Sequence, residues 1–304
     1  MKISANKKIK GGSKLPGRIK NSIPGWLLIL PSILIFILVT WRPIVMAFGY
    51  SFFKLKGFEA TEFVGLKNFI DVLTDTNFLK TLGNTALYVV WSLIIGFPLP
   101  FIVAVFTNEM VHTKGFFKVT TYLPVVIPSV ATCLIWRMVY SDGSGGFLNM
   151  VLYFFGLGPV GWLSNAHLTI PLIILAMTWN GFGSTMILYL ASLQSVDQSL
   201  YEAARLDGAG VFSRIKNVLL PHMSGILFLN AIRQIIAVFQ ITEQPLVMTG
   251  GGPNGASMSL GLTNYFYAFK YGQLDKSMAL GVITFILLIG LTYIYFKFDK
   301  KIND

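Results

Sequence analysis

No charged residue falls between Lys80 and Glu109, and the stretch is almost wholly apolar. A run of that kind leaves few folds open. A helix needs roughly 20 predominantly apolar residues to cross the hydrocarbon core of a bilayer. Inside that core every backbone polar group must find its partner within the protein. Comparable runs recur, and six are read as spans: approximately Trp26–Phe53, bent near Pro43; Thr85–Phe106; Val119–Tyr140; Leu168–Leu193; Gly225–Met248; and Ser277–Phe296. Charged residues make up only 12% of the 304-residue chain, about half the share usual in a soluble domain. The runs are continuously apolar and do not alternate, which argues against a β-barrel. The expected fold is an all-α integral membrane protein with six transmembrane helices.

Lys and Arg placement orients the bundle. The N-terminal tail carries Lys2, Lys7, Lys8, Lys10, Lys14, Arg18 and Lys20 and no acid. An even number of spans then places both termini in the cytoplasm. The chain divides into a basic cytoplasmic tail (1–24), a first span with its outer loop (25–80), a five-span core (81–298) and a short cytoplasmic tail (299–304). The net charge of +11 comes largely from this tail beside the membrane, which fits topology and anionic lipid. Nucleic-acid binding would need a basic face on a folded domain, so no nucleic-acid partner is expected. Cys133 is the single cysteine, which excludes an intrachain disulfide.

A polar insert, YEAARLDGAGVFSRIKNVLLP, interrupts the apolar pattern from Tyr201 to Pro221, within a loop of 195–222 on the cytoplasmic side. Ser199 and Glu202 have the spacing of a capping box, which starts a helix. Gly208 and Gly210 stop it. A second amphipathic helix carries Phe212, Ile215 and Leu219, and Pro221 is expected to end it. An amphipathic loop resting on lipid would explain the greasy face but not the cluster Glu202, Ala203, Ala204, Asp207 and Gly208. Small residues there permit close approach by a partner.

The spacing of Glu202, Ala203, Ala204, Gly208 and Pro221 resembles the "EAA" loop in permease subunits of bacterial ATP-binding-cassette importers. Four further segments are similar to the carbohydrate branch of that family, the maltose, lactose and glycerol-3-phosphate permeases. They are FVGLKNF (Phe63–Phe69), NTALYVV (Asn84–Val90), LPVVIPSVATCLIWRMVY (Leu123–Tyr140) and FQITEQPLVMTGGGP (Phe239–Pro253). The one departure, Val218 where isoleucine is preferred, conserves volume. The resemblance implies a type I importer permease fold in the bacterial cytoplasmic membrane. It also implies a coupling loop that docks on an ATPase dimer, with Glu202 meeting a cationic group there. A second permease subunit, most simply a distinct one forming a heterodimer, and an extracytoplasmic solute-binding protein complete the machine. The chain has no phosphate-cradling G-x-x-x-x-G-K-[ST] motif. ATP is therefore expected on the partner, with no cofactor bound by this chain.

A pathway is read from the fifth span. Asn230, Arg233, Ala237, Gln240 and Gln244 recur at three- and four-residue intervals, which places them on one helical arc. Polar side chains at membrane depth face the bundle interior or a wet cavity. Glutamine both donates and accepts, which suits sugar hydroxyls. The same stripe would also serve as packing against a partner chain, and Arg233 would serve equally in a structural ion pair. Asn180 and Gly183 on the fourth span, beside Trp179, Phe182 and Tyr189, are the other substrate-pathway candidates. A phosphate-ester cargo such as glycerol-3-phosphate would draw several cations into the spans; the scarcity of them favours a neutral sugar or oligosaccharide. An ion-coupled secondary transporter would place carboxylates at the midplane and would leave the insert unexplained. His112, His167 and His222 are scattered, so neither a catalytic group nor a metal site is expected. TGGGPNG lacks the lysine and hydroxyl of a phosphate loop and is read as a tight outer turn.

Overall fold

The computed structural model describes residues 15–110, 113–196, 199–200, 204 and 206–303. Among the described residues, five helices are long and apolar enough to cross a membrane: Trp26–Tyr50, Phe78–Glu109, Ala166–Gln194, Val211–Phe239 and Leu274–Lys297. The pair Lys114–Val126 and Ser129–Val139 reaches the same length and apolarity only when taken together, and it is bent by 98°, as in a broken span or a re-entrant loop.

Proline sets most of the irregularities. Pro43, lacking an N–H, cannot bond the carbonyl one turn earlier, and the first span widens into a π turn over Ile37–Trp41 just before it. None of that span's most apolar stretch is buried against the rest of the chain. The second span carries a π turn over Ser92–Gly96 ahead of Pro98 and Pro100.

The third span departs from the single helix expected over Val119–Tyr140. Pro128 pushes the preceding residue out of the helical region, and Ile127 is extended at φ −74°, ψ 128°. The backbone carbonyls freed at this break are satisfied from the fourth span. Asn180 Nδ2 lies 2.8 Å from the Pro124 carbonyl, 3.2 Å from that of Ile127 and 3.0 Å from Thr132 Oγ1.

The fifth span also differs at both ends. Pro221 does not end a helix; it sits in the first turn of Leu220–Phe239, after a π turn over Ile215–Leu219. Proline is tolerated in a first turn. The expected extension to Met248 is interrupted, because the helix stops at Phe239 and resumes as Glu243–Thr249. The break is held from the sixth-span side: Ser259 Oγ donates to the Ile241 carbonyl. Gly261 approaches so closely that a Cβ there would sit 2.6 Å from the Gln240 carbonyl.

Outside the spans, Phe53–Lys56 and Glu59–Phe63 pair as an antiparallel hairpin where the sequence reading gave only a loop. Asn68 Nδ2 bonds the carbonyls of Ser51 and Phe53, both at 2.9 Å, and pins the hairpin's base. A further short helix, Phe147–Phe154, leaves Tyr153 and Phe154 exposed.

The glycine-rich outer turn runs through left-handed Gly250, Gly251 and Gly255. It is tied to the second span: Asn84 Nδ2 donates to Gly255 (2.8 Å) and Met258 (3.0 Å), and Tyr88 Oη to Ser257 (3.1 Å). Nearby, burial pushes the Tyr267 phenol well above its usual pKa, aided by Asp75 at 3.0 Å, so it stays a donor. Three apolar clusters pack the described residues. One unites Tyr88, Cys133, Ile173 and Val238, the second Ala104, Met186, Leu190 and Met223, and the third Val72, Phe239, Leu260 and Leu280.

Candidate functional site

A cavity of about 480 Å³ lies between the second, fourth and fifth spans. The second span contributes Gly96, Phe97 and Pro100 from its π turn and the proline pair after it. The fourth contributes Thr178, Phe182, Thr185 and Tyr189, and the fifth Asn230, Arg233, Gln234, Ala237 and Gln240. Its wall is thus mixed: aromatic faces and backbone on two sides, amides and one guanidinium on the third. Pockets that hold polar solutes combine such surfaces, apolar area with a few placed polar groups.

Asn230, Arg233 and Gln240 from the sequence stripe line this cavity together. Gln244 does not, because the break after Phe239 puts it on the separate helix Glu243–Thr249. Asn180 is also outside, its amide turned to the broken third span. Gly183 lies where the third and fourth spans cross; a Cβ there would meet the Thr121 carbonyl at 2.2 Å. Trp179 packs edge-on against Trp136 at 5.7 Å.

Gln234, Thr178 and Thr185 line the cavity but were not selected from the sequence. Gln234 follows Arg233 and falls off the narrow stripe. It reaches the cavity beside Gly96, whose absent side chain leaves room: a Cβ there would sit 2.8 Å from Gln234 Nε2.

The interhelical bonds of Asn180 carry a prediction of their own. Side-chain hydrogen bonds between membrane helices are worth about 0.6 kcal/mol on average and up to about 1.7. Asn180→Leu is therefore expected to destabilise the protein by about 1–3 kcal/mol. A lowered melting temperature of the detergent-solubilised complex, with cargo affinity unchanged, would be the readout.

A second site candidate lies in the insert. Ala204 is helical and its carbonyl accepts from Ala209 N–H at 2.9 Å. Asp207 is exposed, and Gly208 has the left-handed φ of +76° that ends a helix without a Cβ penalty. The next helix starts at Val211 after extended Gly210. Leu206 is 88% exposed and Phe212 79% exposed, a pair of apolar side chains flanking the turn. Ser195 Oγ and His222 Nε2 approach to 3.3 Å across the ends of the loop. Glu202 and Ala203 lie outside the described residues.

The sequence model of the family described as "binding-protein-dependent transport system inner membrane component" matches residues 96–303. A trehalose/maltose transport system permease protein of Thermococcus litoralis is 30% identical, covering 92% of this chain and 95% of the relative. An arabinooligosaccharides transport system permease protein of Bacillus subtilis is 28% identical over 90% of this chain and 87% of its own length. Among solved structures, a bacterial ABC transporter involved in import of the acidic polysaccharide alginate superposes with a TM-score of 0.83. It is 22% identical, covering 96% of this chain and all 100% of that one; a likeness at that level concerns the fold. The match over more than two thirds of the chain, joined to near full-length similarity to such relatives, settles the kinship: this multi-pass membrane protein belongs to the family of inner membrane components of binding-protein-dependent transport systems.

Proposed function

We propose that the chain is the membrane-spanning subunit of an ATP-driven, binding-protein-dependent importer that carries a sugar or oligosaccharide across the cytoplasmic membrane. The observation that carries this reading is the membrane-depth cavity, lined by Asn230, Arg233, Gln234 and Gln240 on one side and Phe182 and Tyr189 on another. Amides bond hydroxyls in both directions, and aromatic faces offer apolar area to sugar rings. Relatives named for trehalose/maltose and arabinooligosaccharide transport support the cargo class.

ATP is hydrolysed on a separate ATPase dimer, which receives the insert around Tyr201–Pro221 in the cytoplasm. The exposed Leu206 and Phe212 give that insert an apolar docking face, and Glu202 supplies its charge. Nucleotide binding closes the dimer and moves the insert; it can shift the inward–outward equilibrium only by its differential affinity for the two states. A second permease subunit covers the faces this chain leaves open. A solute-binding protein delivers cargo to the outer side, near the Gly250–Ser259 turn. Both termini lie in the cytoplasm.

Affinity purification of the tagged chain from gently solubilised membranes tests the assembly. An ATPase and a second permease chain are expected to co-purify in stable proportion. Recovery of the chain as a self-sufficient unit, with no nucleotide-binding subunit at any detergent tried, would contradict it.

The cavity wall gives a further prediction. Gly96→Val places a branched side chain where Gln234 and Thr178 now sit, at 2.8 and 3.1 Å from the Cβ position. Gln234 is then driven into the cavity. The variant is expected to assemble normally but transport at least about tenfold more slowly, a loss equal to about 1.4 kcal/mol, read as initial uptake rate in proteoliposomes.

A further inference from the structure

The cavity holds a single fixed charge. Every lining residue other than Arg233 is neutral at physiological pH. Among the described residues no carboxylate pairs with Arg233 and no acceptor takes its N–H groups. A charged side chain at membrane depth is costly, and such residues are kept where they meet a counter-charge or serve a pathway.

A neutral sugar does not call for it. Asn230, Gln234 and Gln240 already supply donors and acceptors along the same wall. The cavity's excess lies in donors, because the Arg233 guanidinium adds N–H groups to those of the amides and accepts nothing. A planar fork of N–H groups matches a carboxylate in bidentate fashion. One positive charge balances one carboxylate, whereas a phosphate monoester, with nearly two charges, would draw more cations. The scarcity of cations that speaks against a phosphate ester is thus compatible with a monocarboxylate. A cationic cargo is disfavoured, since the one charged group of the lining, Arg233, repels it.

We propose that the cargo carries a carboxylate: the transported solute is a uronic-acid-containing oligosaccharide, and Arg233 is the specificity-determining residue that meets its acid group. This rests on the saccharide-import reading above. The competing occupant is a carboxylate of the second permease subunit, which would make Arg233 a structural partner.

The test uses the assembled transporter in proteoliposomes, with its binding protein outside and ATP within reach of the ATPase. The probe is a mixed hydrolysate of pectin and glucuronoxylan, containing neutral and uronate-bearing oligosaccharides, and mass spectrometry identifies what accumulates. Wild-type protein is expected to accumulate acidic species. Arg233→Gln should lower their uptake about tenfold or more, the scale of losing a hydrogen bond to a charged group. It should leave co-purification with the other subunits unchanged, and Arg233→Lys should restore part of the uptake.

Three outcomes overturn the proposal. They are neutral oligosaccharides as the main accumulated species, unchanged acidic uptake in Arg233→Gln, or loss of assembly in that variant with no rescue by lysine. The last would assign Arg233 to the second permease. Absence of any ATP-dependent saccharide accumulation would instead remove the import reading itself, and this proposal with it.

Discussion

Glu202→Lys is expected to abolish ATP-driven uptake while leaving the chain folded and in the membrane. If Glu202 meets a cation in the ATPase cleft, the substitution both removes an attraction and sets two like charges against each other. Truncating one partner of a desolvated charge pair costs about 2–5 kcal/mol. Even the lower figure lowers docking affinity about thirtyfold. Uptake in proteoliposomes should fall to background, and co-purification of the ATPase should weaken in proportion. Asp207→Asn, an exposed change beyond the helix end, should have a much smaller effect. A Glu202→Lys transporter that moves cargo at the normal rate would remove this residue from the coupling step.

The second large effect is structural. At Gly183 even a methyl group has nowhere to go, because its Cβ would lie 2.2 Å from the Thr121 carbonyl oxygen and 3.0 Å from the Tyr122 Cα. These are backbone atoms of the crossing helix, so no rotamer change relieves the contact. The third and fourth spans must separate, which also strains the hydrogen bonds from Asn180 to Pro124 and Ile127. Overpacking ordinarily costs about 1–3 kcal/mol where side chains can yield; a backbone obstacle places Gly183→Val above that range. The expected result is loss of folded protein, read by fluorescence-detected gel filtration of solubilised membranes. Gly181→Ala two residues earlier is the control: nothing lies within 4 Å of its Cβ position, so it should behave as wild type in the same assay.

The five long apolar helices and the membrane setting were legible because hydrophobicity at bilayer length is a local property of the chain. What the sequence obscured came from contacts between distant segments. Asn180 looked like a substrate ligand, since an amide at membrane depth is expensive and asks for a reason. The reason is the carbonyls of Pro124 and Ile127, more than fifty residues away and freed only because Pro128 breaks the third span.

Gln244 was placed on the stripe by assuming that one helix continued past Gln240. Ser259 and Gly261, which hold the chain open there, give no signal near Gln240 itself. Pro221 was read as a stop, yet a π turn upstream lets the helix pass through it. Gln234 escaped notice for a related reason: its access depends on Gly96 across the bundle. The hairpin at Phe53–Phe63 was the one element with a local signal left unread, an alternation of Phe53 and Leu55 with Lys54 and Lys56 ahead of Gly57. That Asn230, Arg233 and Gln240 face one cavity was legible, because the cost of polar side chains in a membrane helix needs no knowledge of the neighbours.

The most direct measurement is cargo accumulation in proteoliposomes that contain this chain with its partner subunits, with ATP and ion gradients supplied separately. ATP-driven import calls for accumulation that requires hydrolysable ATP and the binding protein, and that persists when ionophores collapse every gradient. Full uptake on an ion gradient alone, with no nucleotide present, would contradict it.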